Sequence, residues 1–244
     1  MTSTTVDPAE VASFNRLAET WWDASGPMWP LHRLNALRTD YLARRLREYW
    51  PQSPPDRPLL GVETLDIGCG AGLLSESVAR LGAQVHGVDV AERNIAIAQQ
   101  HARDQGLPVN YQTTTAEALQ AAGSRYDLVL NMEVVEHVAD LPMFLSACCQ
   151  LTRPGGVMVI ATINRTLASW LAAIVGAEYI LRWLPRGTHQ WRRFPRPAEL
   201  EQILAQHRFA VEDRIGVGVN PITRGFRLQR YLGVNYMLIA RRAA

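Results

Sequence analysis

Two groups of residues in this 244-residue chain have the types and spacing to do chemistry. The first is Asp66 with Gly68, Gly70 and Gly72, followed by Asp89 at the end of the next apolar run. Alternate glycines supply backbone angles that a Cβ forbids, and they let a ligand lie against bare main chain. A dinucleotide fingerprint would carry its third glycine where Leu73 stands. A carboxylate at the loop entrance also repels a pyrophosphate and suits a cationic ligand. Asp89, closing a second strand, is placed to accept hydrogen bonds from ribose hydroxyls. The second group is Glu133, Glu136 and His137, directly after the apolar run Tyr126–Met132. Read as a helical turn, it sets Glu133 against both Glu136 and His137. Such a set could hold magnesium or another divalent cation. Alternatively His137 is a general base oriented by Glu133 or Glu136, or it packs structurally beneath a ligand. Met132 either presses its thioether on that ligand or fills space.

Both groups need a sheet whose strand ends meet in one crevice. The chain reads as an α/β fold, doubly wound and Rossmann-like, with strands at Glu63–Ile67, Gln84–Val88, Val109–Gln112, Tyr126–Met132 and Val157–Thr162. Helices are expected at Leu73–Leu81, Glu92–Gln105, Pro142–Leu151 and Phe194–Arg208, with last strands at Phe209–Arg214 and Tyr236–Ala240. Arg153-Pro154-Gly155-Gly156 reads as a turn. Residues 1–10 are expected to fray. A helical cap follows over about 10–50: one helix from Val11 to Trp22, then one from Asn35 to Tyr49. Of the adjacent Trp21 and Trp22, which cannot share one core, one would cap a cleft or pack under a lid. Arg38 has the planar fork to pair with a ligand carboxylate, or is a solvated helix arginine.

Length suits one domain, 1–244, with an insertion at about 165–193. A net charge of +2 gives no case for nucleic acid. Cys69, Cys148 and Cys149 offer no disulfide framework and point to a reducing compartment. No signal peptide is read at the polar N-terminus, and the apolar run Leu167–Leu184 is too broken for a confident span. Its aliphatic residues, tryptophans and arginines fit either a lid over the site or an element lying on an anionic membrane surface through about 166–193.

The run from Asp66 to Gly72 resembles motif I of class I methyltransferases, whose cofactor S-adenosylmethionine carries a sulfonium and an ammonium and no phosphate. In that class an acidic residue after strand three reaches the adenine; here Thr115 stands there, with Glu117 two further on and Ala116 lining the slot. Beyond it, Trp21-Trp22-Asp23, Pro30 to Asn35, Met132 to Val138, Asn164-Arg165, Val175 to Leu181, Pro185 to His189, Asn220-Pro221 and Val234 to Met237 resemble the ubiquinone-biosynthesis O-methyltransferases over nearly the whole chain. The resemblance implies methyl transfer from S-adenosylmethionine to a phenolic oxygen, leaving S-adenosylhomocysteine. The acceptors would be a polyprenylated catechol early in the pathway and a demethylubiquinol at its end. It implies Arg38, Gly68, Asp89 and Met132 as cofactor contacts, with Asp66, Gly70 and Gly72 completing the loop. It implies His137 and Glu133 as catalytic, with Glu133, Glu136 and His137 matching positions linked to a divalent metal in mitochondrial relatives. Gln190 replaces the family's aspartate in Gly187-Thr188-His189-Gln190-Trp191 and cannot supply its charge. The resemblance also implies a cytoplasmic enzyme on the inner membrane face, beside other ubiquinone-pathway proteins. The rivals are a methyltransferase for another lipid-soluble quinone or small phenol, and a non-catalytic membrane-docking subunit of a biosynthetic complex.

Overall fold

The computed structural model describes residues 5–169, 191–220 and 223–244. Its centre is a mixed sheet in which five strands run parallel: β1 (Glu63–Ile67), β2 (Gln84–Asp89), β3 (Asn110–Thr113), β4 (Tyr126–Met132) and β5 (Thr152–Ile163). Three antiparallel strands extend it: β6 (Phe209–Asn220), β7 (Gly225–Gln229) and β8 (Asn235–Arg242). The order is β3-β2-β1-β4-β5-β8-β6-β7. Strand order reverses between β1 and β4, which opens a crevice at their carboxyl ends. Both chemical groups of the sequence leave the sheet there.

Alternation along the strands builds two cores. Leu65, Ile67, Val129, Met158 and Ile160 pack on one face with α6 (Leu141–Leu151) and α8 (Pro197–Gln206). Leu128, Leu130, Val157, Val159 and Ala161 pack on the other with α2 (Trp29–Leu46) and α3 (Leu73–Arg80). Between Val157 and Ala161, β5 is apolar in both phases, as a strand covered by helices on both faces requires. The remaining helices are α1 (Pro8–Leu17), α4 (Glu92–Asp104), α5 (Ala116–Ala121) and the single turn α7 (Leu167–Ser169).

Several boundaries differ from the sequence reading for identifiable reasons. The N-terminal stretch is not frayed from residue 5 onward: Asp7 caps α1, accepting from Ala9 N–H at 3.0 Å, and Pro8 opens the helix. Helix α2 likewise starts at Trp29, because Pro30 suits a first turn. The expected turn at Arg153–Gly156 lies inside β5, as an irregularity where the β4–β5 register shifts. Strand β7 was not expected; its residues are half-exposed on a sheet edge and carry little apolar alternation. Most of the insertion, 170–190, lies outside the described residues, so its lid and membrane readings and Gln190 do too. Among the described residues, no helix is long and apolar enough to cross a membrane.

Candidate active site

The glycine loop joins β1 to α3. Gly68, Gly70 and Gly72 all have positive φ (66°, 55° and 91°), which explains glycine at each. The space above them is filled by the protein itself. A Cβ on Gly68 would lie 2.4 Å from Val134, one on Gly70 would lie 2.4 Å from the Trp21 ring, and one on Gly72 would lie 2.2 Å from the Tyr111 hydroxyl. On these sides, the glycines admit neighbouring side chains rather than a ligand.

The loop is pinned from three directions. Gly70 N–H donates to Asp89 Oδ2 at 2.9 Å, and Ala91 N–H donates to Oδ1 at 2.7 Å. Trp22 Nε1 donates to Ala71 O at 3.0 Å while its ring stacks on His101, centroids 3.4 Å apart. Asn35 Nδ2 reaches Leu73 O at 3.1 Å and Ser77 Oγ at 2.9 Å. The two tryptophans therefore both serve, Trp21 buried on Gly70 and Trp22 strapped to the next peptide.

Asp66 is buried near the end of β1, and Ser75 Oγ donates to it at 2.6 Å. Burial pushes its carboxyl up to about 7. Through Ser75 it anchors the first turn of α3. Asp89 sits half-buried at the carboxyl end of β2, and its backbone donors oppose the upward pull of burial.

The stretch after β4 does not continue as a helix. Glu133 takes a left-handed backbone, φ 59°, with its N–H donating to Ala161 O at 2.8 Å, and only a turn follows, where His137 N–H donates to Val134 O. A non-glycine residue held there by its surroundings is a feature often found at functional sites. Consequently the shared helix face for Glu133, Glu136 and His137 does not form.

Each of the three also has a partner outside the turn. Glu133 Oε1 accepts from Arg38 Nη2 and from Asn235 Nδ2, the latter at 2.9 Å. Burial pulls its pKa up, but Arg38 and these hydrogen bonds outweigh that and hold it below the ordinary value, hence ionised. Glu136 accepts from Thr162 Oγ1 at 2.8 Å; burial and the neighbouring Glu133 charge raise its pKa, so it favours the neutral acid. His137 Nδ1 lies 3.2 Å from Glu10 Oε2, and Phe14 packs edge-on to the imidazole. Burial lowers the imidazole pKa, but Glu10 and the two loop carboxylates overcome it and raise it overall.

Arg38 Nη2 serves Glu133 and, at 3.3 Å, Asn235 Oδ1. Its buried Nε has no partner and remains the one guanidinium atom shown to lack one. Met132 packs, partly buried, against the α2–α3 core. Glu117 is taken by Thr5 Oγ1 at 2.7 Å, and Thr115 caps α5 through Ala118 N–H, so neither offers the acidic adenine contact. Among the described residues, no group of three His, Cys, Asp or Glu side chains is arranged to hold a metal ion.

The model of a methyltransferase domain matches residues 65–160, the segment from β1 to β5. A ubiquinone biosynthesis O-methyltransferase of Sinorhizobium medicae is 49% identical over 240 residues, covering 98% of this chain and 97% of its own. One of the same name from Brucella anthropi is 48% identical, covering 99% and 98%. The chain belongs to the ubiquinone biosynthesis O-methyltransferase family. Its fold is that of a class I methyltransferase. A magnesium protoporphyrin IX methyltransferase of Synechocystis, solved with bound S-adenosylhomocysteine, is similar at TM-score 0.67 and 19% identity over 95% of both chains. The PH0226 protein of Pyrococcus horikoshii is similar at 0.62 and 17%, over 94% of this chain and 98% of its own. As a member of this family, the chain is an S-adenosylmethionine-dependent O-methyltransferase.

Within that family assignment, three residues gain roles that sequence reasoning did not give them. Asn235 bridges Arg38 and Glu133 from the start of β8. Trp22 ties the cap to the loop. Glu10 faces His137 from α1. Asn235 and Trp22 lay in stretches that carry the family resemblance. Glu10 carried no signal, because it sat in the part of the chain expected to fray.

Proposed function

We propose that the protein transfers a methyl group from S-adenosylmethionine to a phenolic oxygen of a polyprenylated catechol or demethylubiquinol, serving both O-methylation steps of ubiquinone biosynthesis. The observation that carries the acceptor side is His137, whose Nδ1 is occupied by Glu10 and whose Nε2 has no partner among the described residues. The donor side rests on the glycine loop and on Asp89 closing β2.

S-adenosylmethionine supplies an already activated methyl group. The chain's task is then to align the acceptor and remove its proton. A phenol of ordinary pKa near 10 is mostly protonated at neutral pH. His137 Nε2 takes that proton as general base. Glu133, fixed in its ionised form by Arg38 and Asn235, holds the turn that carries His137 and adds negative charge where an imidazolium forms. Glu136, kept as the neutral acid beside Thr162, adds no second full charge. Among the described residues, the donor set does not fit a resident cation.

A polyprenyl acceptor resides in a bilayer, so we place the enzyme at the cytoplasmic face of the inner membrane. The approach through about 166–193 is the docking element we assign to it, with other ubiquinone-pathway proteins as neighbours. The test is methyl transfer from radiolabelled S-adenosylmethionine to a short-chain catechol against a naphthoquinol. Transfer to the catechol alone supports the reading. Preference for the naphthoquinol favours another quinone pathway, and binding without transfer favours the docking subunit. Activity lost to a chelator and restored by magnesium would replace the base with a metal.

A further inference from the structure

A histidine base works only if one ring nitrogen is committed as the proton donor and the other is presented to the substrate. The carboxylates beside His137 in sequence do not perform that task. Glu133 is spent on Arg38 and Asn235, and Glu136 on Thr162. The group at His137 Nδ1 comes from the opposite end of the chain. We propose that Glu10 is the positioning residue of the His137 base, so that the N-terminal helix completes the active site rather than only covering it. The inference rests on the assignment of His137 as base.

Two contacts from one face of α1 set the imidazole. Glu10 Oε2 stands 3.2 Å from Nδ1, and Phe14, one turn further along, meets the ring edge-on at 5.4 Å and 86°. One contact chooses the tautomer and the other fixes the plane. Both partners are largely shielded, the side chains being 17% and 21% exposed, so water competes weakly for the pair.

Helix α1 is itself held in register with the base. Ala139, two residues after His137, donates its N–H to Thr5 O at 2.9 Å. Thr5 Oγ1 donates to Glu117 at 2.7 Å, and Arg193 pairs with the capping Asp7 at 3.1 Å. The strand of chain entering α1 is thus bonded to the same loop that Glu10 serves. A displacement of α1 would move Glu10 off Nδ1 and lift Phe14 from the ring together.

In the step this supports, the phenolic O–H bond breaks and its proton passes to Nε2. The oxygen forms a bond to the methyl carbon, and the pair of the broken carbon–sulfur bond stays on the departing thioether. Nδ1–H remains on the ring, and Glu10 stays a carboxylate facing the imidazolium. No proton need pass to Glu10.

The test is a double-mutant cycle on the full chain, with radiolabelled S-adenosylmethionine and a catechol bearing a short isoprenoid chain. Glu10→Ala should lower kcat by roughly 10- to 100-fold, less than the roughly 100- to 10,000-fold expected from His137→Ala. KM for the catechol and the affinity for S-adenosylmethionine should stay near wild type. In the His137→Ala background, Glu10→Ala should cost nothing further, because the group it orients is gone. Glu10→Gln, nearly the same shape, guards against loss of fold and should also fall in kcat. The inference is overturned if Glu10→Ala and Glu10→Gln turn over like wild type while His137→Ala is inactive. It is also overturned if Glu10→Ala costs the same factor in both backgrounds, which marks a structural role. Wild-type turnover by His137→Ala would instead overturn the base assignment, and this inference with it.

Discussion

The two halves of the site are built on opposite plans. The donor half, from Asp66 through the glycine loop to Asp89, is local: two strands, one turn and one helix, joined by hydrogen bonds over short chain separations. The acceptor half is assembled from four distant segments. Glu10 comes from α1, Arg38 from α2, Glu133 to His137 from the turn after β4, and Asn235 from β8. Charge is also handled differently. In the donor half, burial pushes Asp66 toward neutrality and backbone N–H groups satisfy Asp89. In the acceptor half, Arg38 pairs with Glu133 and His137 with Glu10, while burial and the Glu133 charge push Glu136 toward the neutral acid. A backbone-held loop suits a cofactor that every turnover shares. Paired side chains suit a proton that must be moved.

The comparison breaks most visibly at Arg38. Replacing it with methionine leaves the Glu133 charge enclosed without its partner. Loss of one member of a buried pair costs about 3–5 kcal/mol. Urea unfolding should therefore show a large drop for Arg38→Met. The Arg38→Met, Glu133→Gln double variant should recover much of it, since no lone charge remains. If the single variant is as stable as wild type, the pairing does not hold the acceptor half together.

Gly70→Ala strikes the donor half. The residue has φ 55°, and its new Cβ would meet Trp21 at 2.4 Å. Non-glycine strain of this kind costs on the order of 1–3 kcal/mol, and the cap must also lift. Affinity for S-adenosylmethionine, measured by calorimetry, should weaken before catechol binding does. Equal weakening of both would erase the distinction between the halves.

A smaller effect separates the two carboxylates of the acceptor half by pH. The folded-state pKa of Glu136 is raised, so above the ordinary carboxylate range the unfolded chain gives up a proton that the native protein keeps. Stability from this group is present at low pH and is lost as pH rises toward the raised value. Glu136→Gln keeps the acceptor for Thr162 and removes the titration. Its stability gain over wild type should be near zero at about pH 4 and grow as pH rises toward about 8. A gain independent of pH would mean that Glu136 is not the neutral acid.

The donor half was legible in the sequence because its logic is local. The bounds of β1 and β4 match the expected ones, and the positive φ of Gly68, Gly70 and Gly72 follows from their spacing. Spacing does not show that the Asp66 carboxyl is buried under Ser75. In the acceptor half, the sequence located Glu133, Glu136 and His137 but assigned them to one another. A helical period was assumed where a left-handed Glu133 breaks it. Their actual partners lie far away along the chain, where only the folded sheet brings them near. Glu10 was the hardest to see, because a polar N-terminal stretch reads as solvated until Thr5 and Asp7 are found bonded to Glu117 and Arg193.

The division of labour is tested most directly by measuring S-adenosylmethionine affinity and single-turnover methyl transfer side by side in His137→Ala. Transfer should fall by roughly 100- to 10,000-fold while the affinity stays near wild type. Transfer at the wild-type rate, or a parallel loss of cofactor affinity, would contradict a site in which one half holds the methyl donor and the other removes the acceptor's proton.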